Sequence, residues 1–302
     1  MTDTPKVCAA LINWNSLEDT SQAVHSLLNS SYHQMTTLVV DNNSTDRSLA
    51  ELRKRFGDRI AYLPLKQNTG MTGGSNAALD WSVKKGFRYT LIGNTDIAVA
   101  SSAVRHLVAR AESDSRIGFV NPKIYRGPEG SRTIYFAGAK RNWGICYGMR
   151  GAGLDERLLR KDQAEDMFWA VGTFALYRNQ MITETGGFDE SFFLGLEDVE
   201  FGSRATKLGW KGYYEPRAKV WHQPGGSAGG RFGRTKSYYG ARNMIRLIQK
   251  GYWSGPKLLF IIPFIIGFTL SPILLLRFRS VYWSLVGISD GLRGKFGKTS
   301  RF

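Results

Sequence analysis

Over its first hundred residues the chain alternates short apolar runs with amphipathic stretches. Val7 to Ile12 (VCAALI) is an unbroken apolar run of buried-strand length, and Ser16 to Asn29 then reads as a helix with Ser16 as its cap. Thr37 to Val40 repeats the strand and ends in Asp41. A second helix is expected over about Arg47 to Phe56, then a strand at Ile60 to Leu63, a glycine-rich turn, a helix near Ser75 to Lys85 and a strand at Tyr89 to Ile92. Such alternation predicts an α/β domain with a doubly wound, mainly parallel sheet, whose ligands bind beyond the C-terminal strand ends.

Polar residues collect at those ends. Asn13 and Asn15 follow the first strand, Asp41-Asn42-Asn43-Ser44 the second, Asn68 and Gly70 the third, and Asn94-Thr95-Asp96 the fourth. Turn chemistry accounts for any one of these clusters, because Asn, Asp, Ser and Gly are the residues turns prefer. Four in succession on one edge point instead to a binding site. Beyond Asp96 the pattern loosens, with strands expected near Phe119 to Tyr125 and Trp169 to Tyr177, and this half is where features specific to a second substrate are expected.

Within that half, Gly187 to Phe201 (GFDESFFLGLEDVEF) sets two adjacent carboxylates, Glu197 and Asp198, after an aromatic run and before residues at helical spacing, Phe201, Ala205 and Leu208. The pair thus falls at a helix N-terminus, where the macrodipole favours the ionised form. Helix-capping preference explains two acids there. A carboxylate held beside a pocket can also serve as a general base.

Composition is that of a globular chain, 302 residues with 42% hydrophobic and 22% charged, which excludes disorder as the default. The net charge of +16 is uneven: from Arg231 onward thirteen Lys or Arg face a single acid, Asp290, so +12 lies in the last quarter. The same region holds the longest uncharged run, Leu258 to Leu276, nineteen residues between Lys257 and Arg277 and interrupted by Pro263, Gly267 and Pro272. Its length suffices for a bilayer span of roughly 20 residues, but the prolines and the two basic flanks favour a kinked or in-plane arrangement on an anionic membrane face. A buried core helix pair is the alternative. The expected organisation is a body over 1–230, divided near residue 100 into two halves that each serve one substrate, and a basic helical region over 231–302. The N-terminal MTDTPKVCAALINWN lacks a signal-peptide pattern, so a cytosolic body is expected. Cys8 and Cys146, the only cysteines, suggest neither a disulfide framework nor a zinc site. The positive charge flanks an apolar run and no recognition module is visible, which argues against nucleic acid as partner.

Five segments in order, LVVDNNSTDRS, NTGMTGGSNAAL, LIGNTDIAV, GGFDESFFLGLEDVEF and VWHQPGGS, resemble the inverting glycosyltransferases of family 2, which have the GT-A fold and use nucleotide-diphosphate sugars. The resemblance runs from about Val7 to Asn243 and is strongest to bacterial rhamnosyltransferases of lipid-linked or cell-wall glycans. It implies donor contacts from Asn13, Asp41, Asn43, Asn68, Gly70, Asn76, Asn94, Asp96, His222 and Arg242, with Asp41 at the nucleobase, Gly73 and Gly74 admitting close backbone approach, and Asn76 buttressing that loop. Met71 and Thr72 stand where the family usually has an aromatic and a small residue. Asp96 matches the last acid of the family's D-x-D metal signature, and Asn94 replaces the first. The implied cofactor is Mg²⁺ or Mn²⁺, held by Asp96, the phosphates and, by the same resemblance, His222; loss of the first acid makes weak or optional metal dependence an expectation. The glycines Gly225, Gly226, Gly229 and Gly230, beside Arg231 and Arg234, fit a loop closing over the donor. Asp198 is implied as the base and Glu197 as its support or as an acceptor ligand, with Asp189 and Phe193 facing the acceptor and Phe192 either there or in the core. The Arg242-Asn243 pair is implied on a helix packed near the donor.

The implied reaction is transfer of L-rhamnose from dTDP-L-rhamnose to a polyprenyl-diphosphate-linked or cell-surface glycan at the cytoplasmic face of the membrane. A UDP-hexose or UDP-N-acetylhexosamine donor on the same fold is the alternative. A non-catalytic nucleotide-sugar-binding or membrane-scaffolding protein is the third reading.

Overall fold

A computed structural model describes residues 4–142, 146–160, 162–223, 233–252 and 255–301. The first hundred residues run β1 (Val7–Asn13), α1 (Leu17–Leu28), β2 (Met35–Asp41), α2 (Ser48–Phe56), β3 (Ala61–Pro64), α3 (Gly70–Lys84), β4 (Tyr89–Gly93) and β5 (Ile97–Val99). There follow α4 (Ala103–Glu112), β6 (Ile117–Arg126), β7 (Ile134–Phe136), β8 (Ala139–Asn142), β9 (Cys146–Met149), β10 (Glu165–Met167), β11 (Phe174–Arg178), α5 (Asn179–Thr185), α6 (Glu197–Lys207) and β12 (Lys211–His222). Three helices complete the chain: α7 (Arg234–Gln249), α8 (Leu258–Leu270) and α9 (Phe278–Leu292).

Among the described residues the main sheet has the order β10-β12-β6-β11-β4-β1-β2-β3, with β5 paired to β12 and β7 to β6. The four strands read from the apolar runs, β1 to β4, are mutually parallel, and Asn13 lies opposite Asp41 and Asp41 opposite Pro64. β11 enters antiparallel between β4 and β6, and β12 joins β6 in parallel. β1 is buried along its whole length because successive side chains point to opposite faces and both faces are covered. Val7, Ala9 and Leu11 pack with Ala23, Val24 and Leu27 of α1, whereas Cys8, Ala10 and Ile12 pack with Leu38, Val40 and Ala78.

Two boundaries differ from the sequence reading. The glycine-rich stretch expected as a turn before Ser75 is itself the start of α3. Glycine is a poor helix former, but here the missing side chain is what permits packing: a Cβ on Gly74 would stand 2.7 Å from Ile12 Cγ2, and Gly70, at φ +74°, would meet the Phe193 carbonyl at 2.3 Å. The expected strand from Trp169 begins only at Phe174. Asn121 of β6 takes over the ladder, donating to the Val171 and Phe174 carbonyls and accepting from the Val171 N–H, so residues 171–173 bulge from the sheet.

The basic C-terminal region is not a detached tail. Met244, Ile245 and Leu247 of α7 belong to the main core. Contacts between α7 and α9 advance together, from Ser237 with Ser284 to Ile245 with Gly291, so the two helices run parallel. The approach is close: a Cβ on Gly287 would stand 2.3 Å from the Tyr238 carbonyl. The nineteen-residue apolar run divides into α8 and a 3-10 turn, Ser271–Leu275, that ends at Leu276 with φ +53°. Thirteen residues of α8 span about 20 Å at 1.5 Å per residue, and among the described residues no helix is long and apolar enough to cross a membrane. Ile261 and Ile265 anchor α8 to the core, whereas Leu259, Phe260, Ile262, Phe264, Ile266 and Leu276 are exposed, Leu259 to 76% and Leu276 to 78%.

Candidate active site

The polar strand ends converge as the topology requires. Asn13 is fully buried and its side chain is saturated, donating to Asp41 Oδ1 (2.8 Å), Ser44 Oγ and Ser48 Oγ and accepting from Thr20 Oγ1. It therefore holds the β2 end rather than lining the cleft. Asp41 also accepts from Ser44 N and Oγ, and Asn43 takes the left-handed conformation at φ +58° that turns the chain there. Asn42 bridges to the next cluster, accepting from Thr69 N and donating to the Gly70 carbonyl, while Asn68 Oδ1 accepts from Gly70 N. Gly70 lies against Phe193, so the acid-bearing segment touches the donor-side loop directly.

At the β4 end, Asn94, Thr95 and Asp96 are half-buried. His222, 5% exposed at the end of β12, sets Nε2 3.2 Å from Asp96 Oδ1, and its Nδ1 is buried without a hydrogen-bond partner among the described residues. The Tyr135 ring stands edge-on to His222 at 4.9 Å between centroids.

Glu197 and Asp198 open α6, after Leu196 in the left-handed region at φ +67°. Glu197 is 7% exposed, and its Oε2 has no hydrogen-bond partner among the described residues. Asp198 is half-buried; its Oδ2 accepts from Gly172 N (3.0 Å) and its Oδ1 from Val199 N (2.8 Å). The ionised state expected from the helix dipole does not follow from this setting. Desolvation pushes both carboxyls above the usual carboxylate range, and for Glu197 the adjacent Asp198 charge adds to the effect. Glu197 carries the larger upward push, because desolvation and the adjacent Asp198 charge outweigh its Glu197 and Gly195 backbone N–H groups, whereas the Gly172, Val199 and Asp198 N–H groups favour ionised Asp198.

The 171–173 bulge joins the two ends of the site. Gly172 donates to Asp198, and the next carbonyl, Thr173, accepts from Asn94 N at 2.9 Å. Gly172 and Thr173 form a turn, so the Asp198 carboxylate and the Asn94–Asp96 segment are held by adjacent residues of one turn. Tyr135, hydrogen-bonded to Thr173, feels the charge of both Asp198 and Asp96. Gly172, Thr173 and Tyr135 were not singled out from the sequence; the only signal was a Gly-Thr pair after an apolar run, which reads as strand.

Other candidates have different tasks. Arg242 is 1% exposed, and its guanidinium is committed to protein groups: it donates to the Ser191, Phe192 and Gly297 carbonyls and to Asn243 Oδ1, over the Tyr239 ring at 4.6 Å. Asn243 donates to the Phe192, Leu194 and Gly195 carbonyls. The pair thus suspends from α7 the segment that leads into Glu197. Asp189, expected at the acceptor, instead caps Ser191 N and pairs with Lys250 Nζ at 2.6 Å. Asn76 clamps Phe188 through both its N–H and its carbonyl and donates to Glu190, tying α3 to the same segment. Phe192 is buried; Phe193 stacks on Tyr239 at 5.1 Å. Gly225, Gly226, Gly229, Gly230 and Arg231 lie outside the described residues, and Arg234 lies over the Trp283 ring at 5.8 Å.

Comparison with known proteins accords with this arrangement. The chain is 26% identical over 224 residues to the N-acetylglucosaminyl-diphospho-decaprenol L-rhamnosyltransferase of Mycobacterium tuberculosis, covering 65% of this chain and 68% of that one. Among solved structures it is similar to the mannosyltransferase PcManGT of Pyrobaculum calidifontis in complex with GDP-Man and Mn2+, with a TM-score of 0.58 and 14% identity over 99% of this chain and 77% of that one. It is also similar to GalNAc-T7 with UDP, GalNAc and Mn2+, with a TM-score of 0.62 and 15% identity over 82% and 50%. These likenesses establish the GT-A fold. The model of glycosyl transferase family 2 matches residues 8–186, more than half of the chain, and the protein belongs to that family.

Proposed function

We propose that the chain is an inverting transferase that moves L-rhamnose from dTDP-L-rhamnose to a polyprenyl-diphosphate-linked glycan, working peripherally at the cytoplasmic face of the membrane. The observation that carries the transfer reading is the 172–173 bridge. Adjacent residues of one turn hold Asp198 and Asn94, which supports a reading in which a nucleotide-sugar diphosphate at Asn94–Asp96 and a base at Asp198 flank the transferred sugar, the arrangement that inversion requires. Asp198, held by the Gly172 and Val199 N–H groups, accepts the acceptor hydroxyl's proton as that oxygen attacks the anomeric carbon from the face away from the diphosphate. Protonated Glu197 beside it lowers the local negative charge and can donate to an acceptor oxygen. Asp41, fixed by Asn13 and Ser44, receives the base of the nucleotide.

Among the described residues no group of three or more acidic, His or Cys side chains gathers around a metal position. Asp96 and the facing His222 nevertheless fit a cation whose remaining ligands are phosphate oxygens and water. Mg²⁺ or Mn²⁺ bound there would offset charge on the departing diphosphate.

The rhamnosyl and lipid-linked assignments draw on the mycobacterial relative's printed activity and on the exposed apolar side chains of α8 beside Arg277 and Arg279. A panel of dTDP- and UDP-sugars, with and without divalent metal, tests the donor. Turnover of dTDP-L-rhamnose is expected; turnover of a UDP-sugar alone would keep the transfer reading and refute the rhamnosyl one, and no transfer from any donor would refute both. Because α9 is packed on α7, deleting residues from Leu258 onward would strip the body. Membrane association is therefore tested by Leu259→Gln with Ile262→Gln and Ile266→Gln, which should release the protein from sedimenting anionic vesicles. Unchanged sedimentation would remove α8 as the anchor.

A further inference from the structure

Behind the segment that Arg242 holds lies an open cavity of about 410 Å³ at the C-terminal end of α9, with Arg242, Asp290, Lys295, Lys298, Thr299 and Arg301 in its walls. Four of these six side chains are cationic and one is acidic. The acid is already committed: Asp290 takes both nitrogens of Arg301, at 2.7 and 3.0 Å, and the Tyr238 hydroxyl at 2.9 Å. Among the described residues no carboxylate lies within ion-pair distance of Arg242, Lys295 or Lys298. For the two exposed lysines that is ordinary. Arg242, 1% exposed, is held by the Ser191, Phe192 and Gly297 carbonyls, Asn243 Oδ1 and the Tyr239 ring at 4.6 Å, none of which carries a full negative charge. Burial is the largest influence on its pKa and pushes it down, while Tyr238, Tyr239 and the charge of Asp290 oppose that shift.

The cavity is separate from the donor side. Gly70 meets Phe193, Phe193 stacks on Tyr239, and Arg242 and Thr299 lie on Tyr239, so a layer of two rings stands between. It adjoins the apolar surface instead: Leu292, 67% exposed, closes α9 next to it, and exposed Leu285 lies two turns back. Arg277 and Arg279 flank the other end of the same helix.

We infer that this cavity is an anion site that receives the phosphate or diphosphate group of a membrane lipid. The missing counter-charge for Arg242 calls for an anion, the paired lysines on the rim suit a group of charge −1 to −2, and the neighbouring apolar helix faces accommodate its acyl or prenyl chains. Because Arg242 also holds the Ser191 and Phe192 carbonyls, occupancy of the cavity would stiffen the segment carrying Glu197 and Asp198. The lipid occupant rests on the membrane-facing reading of α8; the anion site does not.

The test uses the full chain in chelator without donor, titrated in one arm with phosphatidylglycerol–phosphatidylcholine vesicles and in the other with inorganic pyrophosphate. Lys295→Gln/Lys298→Gln is compared with Arg277→Gln/Arg279→Gln, which removes equal charge from the same surface outside the cavity. At about 1 kcal/mol per cation, general surface attraction alone gives about a thirtyfold loss for either pair, so the cavity site predicts a loss of vesicle binding in the lysine pair that clearly exceeds that of the arginine pair. Loss of pyrophosphate binding in the lysine pair alone would support the site and show that it also accepts a free diphosphate. Pyrophosphate binding by wild type without vesicle binding would keep the site and overturn its lipid occupant. Equal losses for both pairs on vesicles, with pyrophosphate binding unchanged, would overturn the site, as would wild-type protein that binds neither probe.

Discussion

Replacing Asp198 by Asn isolates the chemistry of the acid pair from its architecture. The side chains are nearly isosteric, but the carboxylate accepts two backbone N–H bonds, from Gly172 at 3.0 Å and Val199 at 2.8 Å. An amide can accept only one of them through its oxygen, and its NH₂ then faces the other donor, at a cost of about 1–3 kcal/mol. Against this, the variant removes a negative charge beside buried Glu197, so the two effects oppose and the melting temperature should move little. Turnover should not be spared. With no base to take the hydroxyl proton, kcat should fall by about 10²–10⁴, while the dissociation constant for the donor, whose proposed contacts are at Asp41 and Asp96, should stay within about twofold. The assay is transfer from a labelled nucleotide sugar, with donor binding measured by calorimetry on the same preparation. A second reading comes from Glu197: freed of the Asp198 charge, its carboxyl should titrate lower, nearer the ordinary range, by carbon-detected NMR. Unchanged transfer would refute Asp198 as base, and an unmoved Glu197 would refute the electrostatic coupling.

Three further outcomes follow from the same geometry. The wild-type activity profile should fall on its acid side at a higher pH than an ordinary carboxylate would give, since Asp198 must lose its proton to act and burial holds that proton more tightly; a limb at the usual carboxylate pH would contradict the desolvated setting. Glu197 binds its proton more tightly folded than unfolded, so stability is fully present below its unfolded pKa and is lost as pH rises through the folded one. Glu197→Gln should therefore raise the melting temperature at pH 8 with little change at pH 4, and a uniform shift at both would refute that linkage. Asn243→Ala leaves three carbonyls, of Phe192, Leu194 and Gly195, without their donor and should lower kcat about tenfold or more with little change in donor affinity, whereas Asn243→Gln restores only part of it; equal activity in the alanine variant would show that the segment holds itself.

Much of the donor half was legible in the sequence because its information is local. A fully buried parallel strand must be apolar throughout, and each strand end must turn, so VCAALI, TLVV and YTLI with their polar caps announce both the sheet and the edge where ligands gather. Where packing overrode propensity the reading slipped: GMTGGS forms the start of a helix because Gly70 and Gly74 admit Phe193 and Ile12, and a single side chain, Asn121, ends the expected strand before Phe174.

The sequence by itself determined which residue types were available, a carboxylate pair at a helix start, an acid after β4 and a basic, apolar C-terminal region. Only the tertiary structure decided their tasks. Whether Asp198 and Asn94 are held together depends on a turn ahead of β11, whether Arg242 meets ligand or protein depends on how α7 packs, and the protonation of Glu197 depends on how much water the fold removes. These are contacts between residues about 25 to 100 positions apart, and desolvation is a property of everything that surrounds a group. No local pattern encodes either.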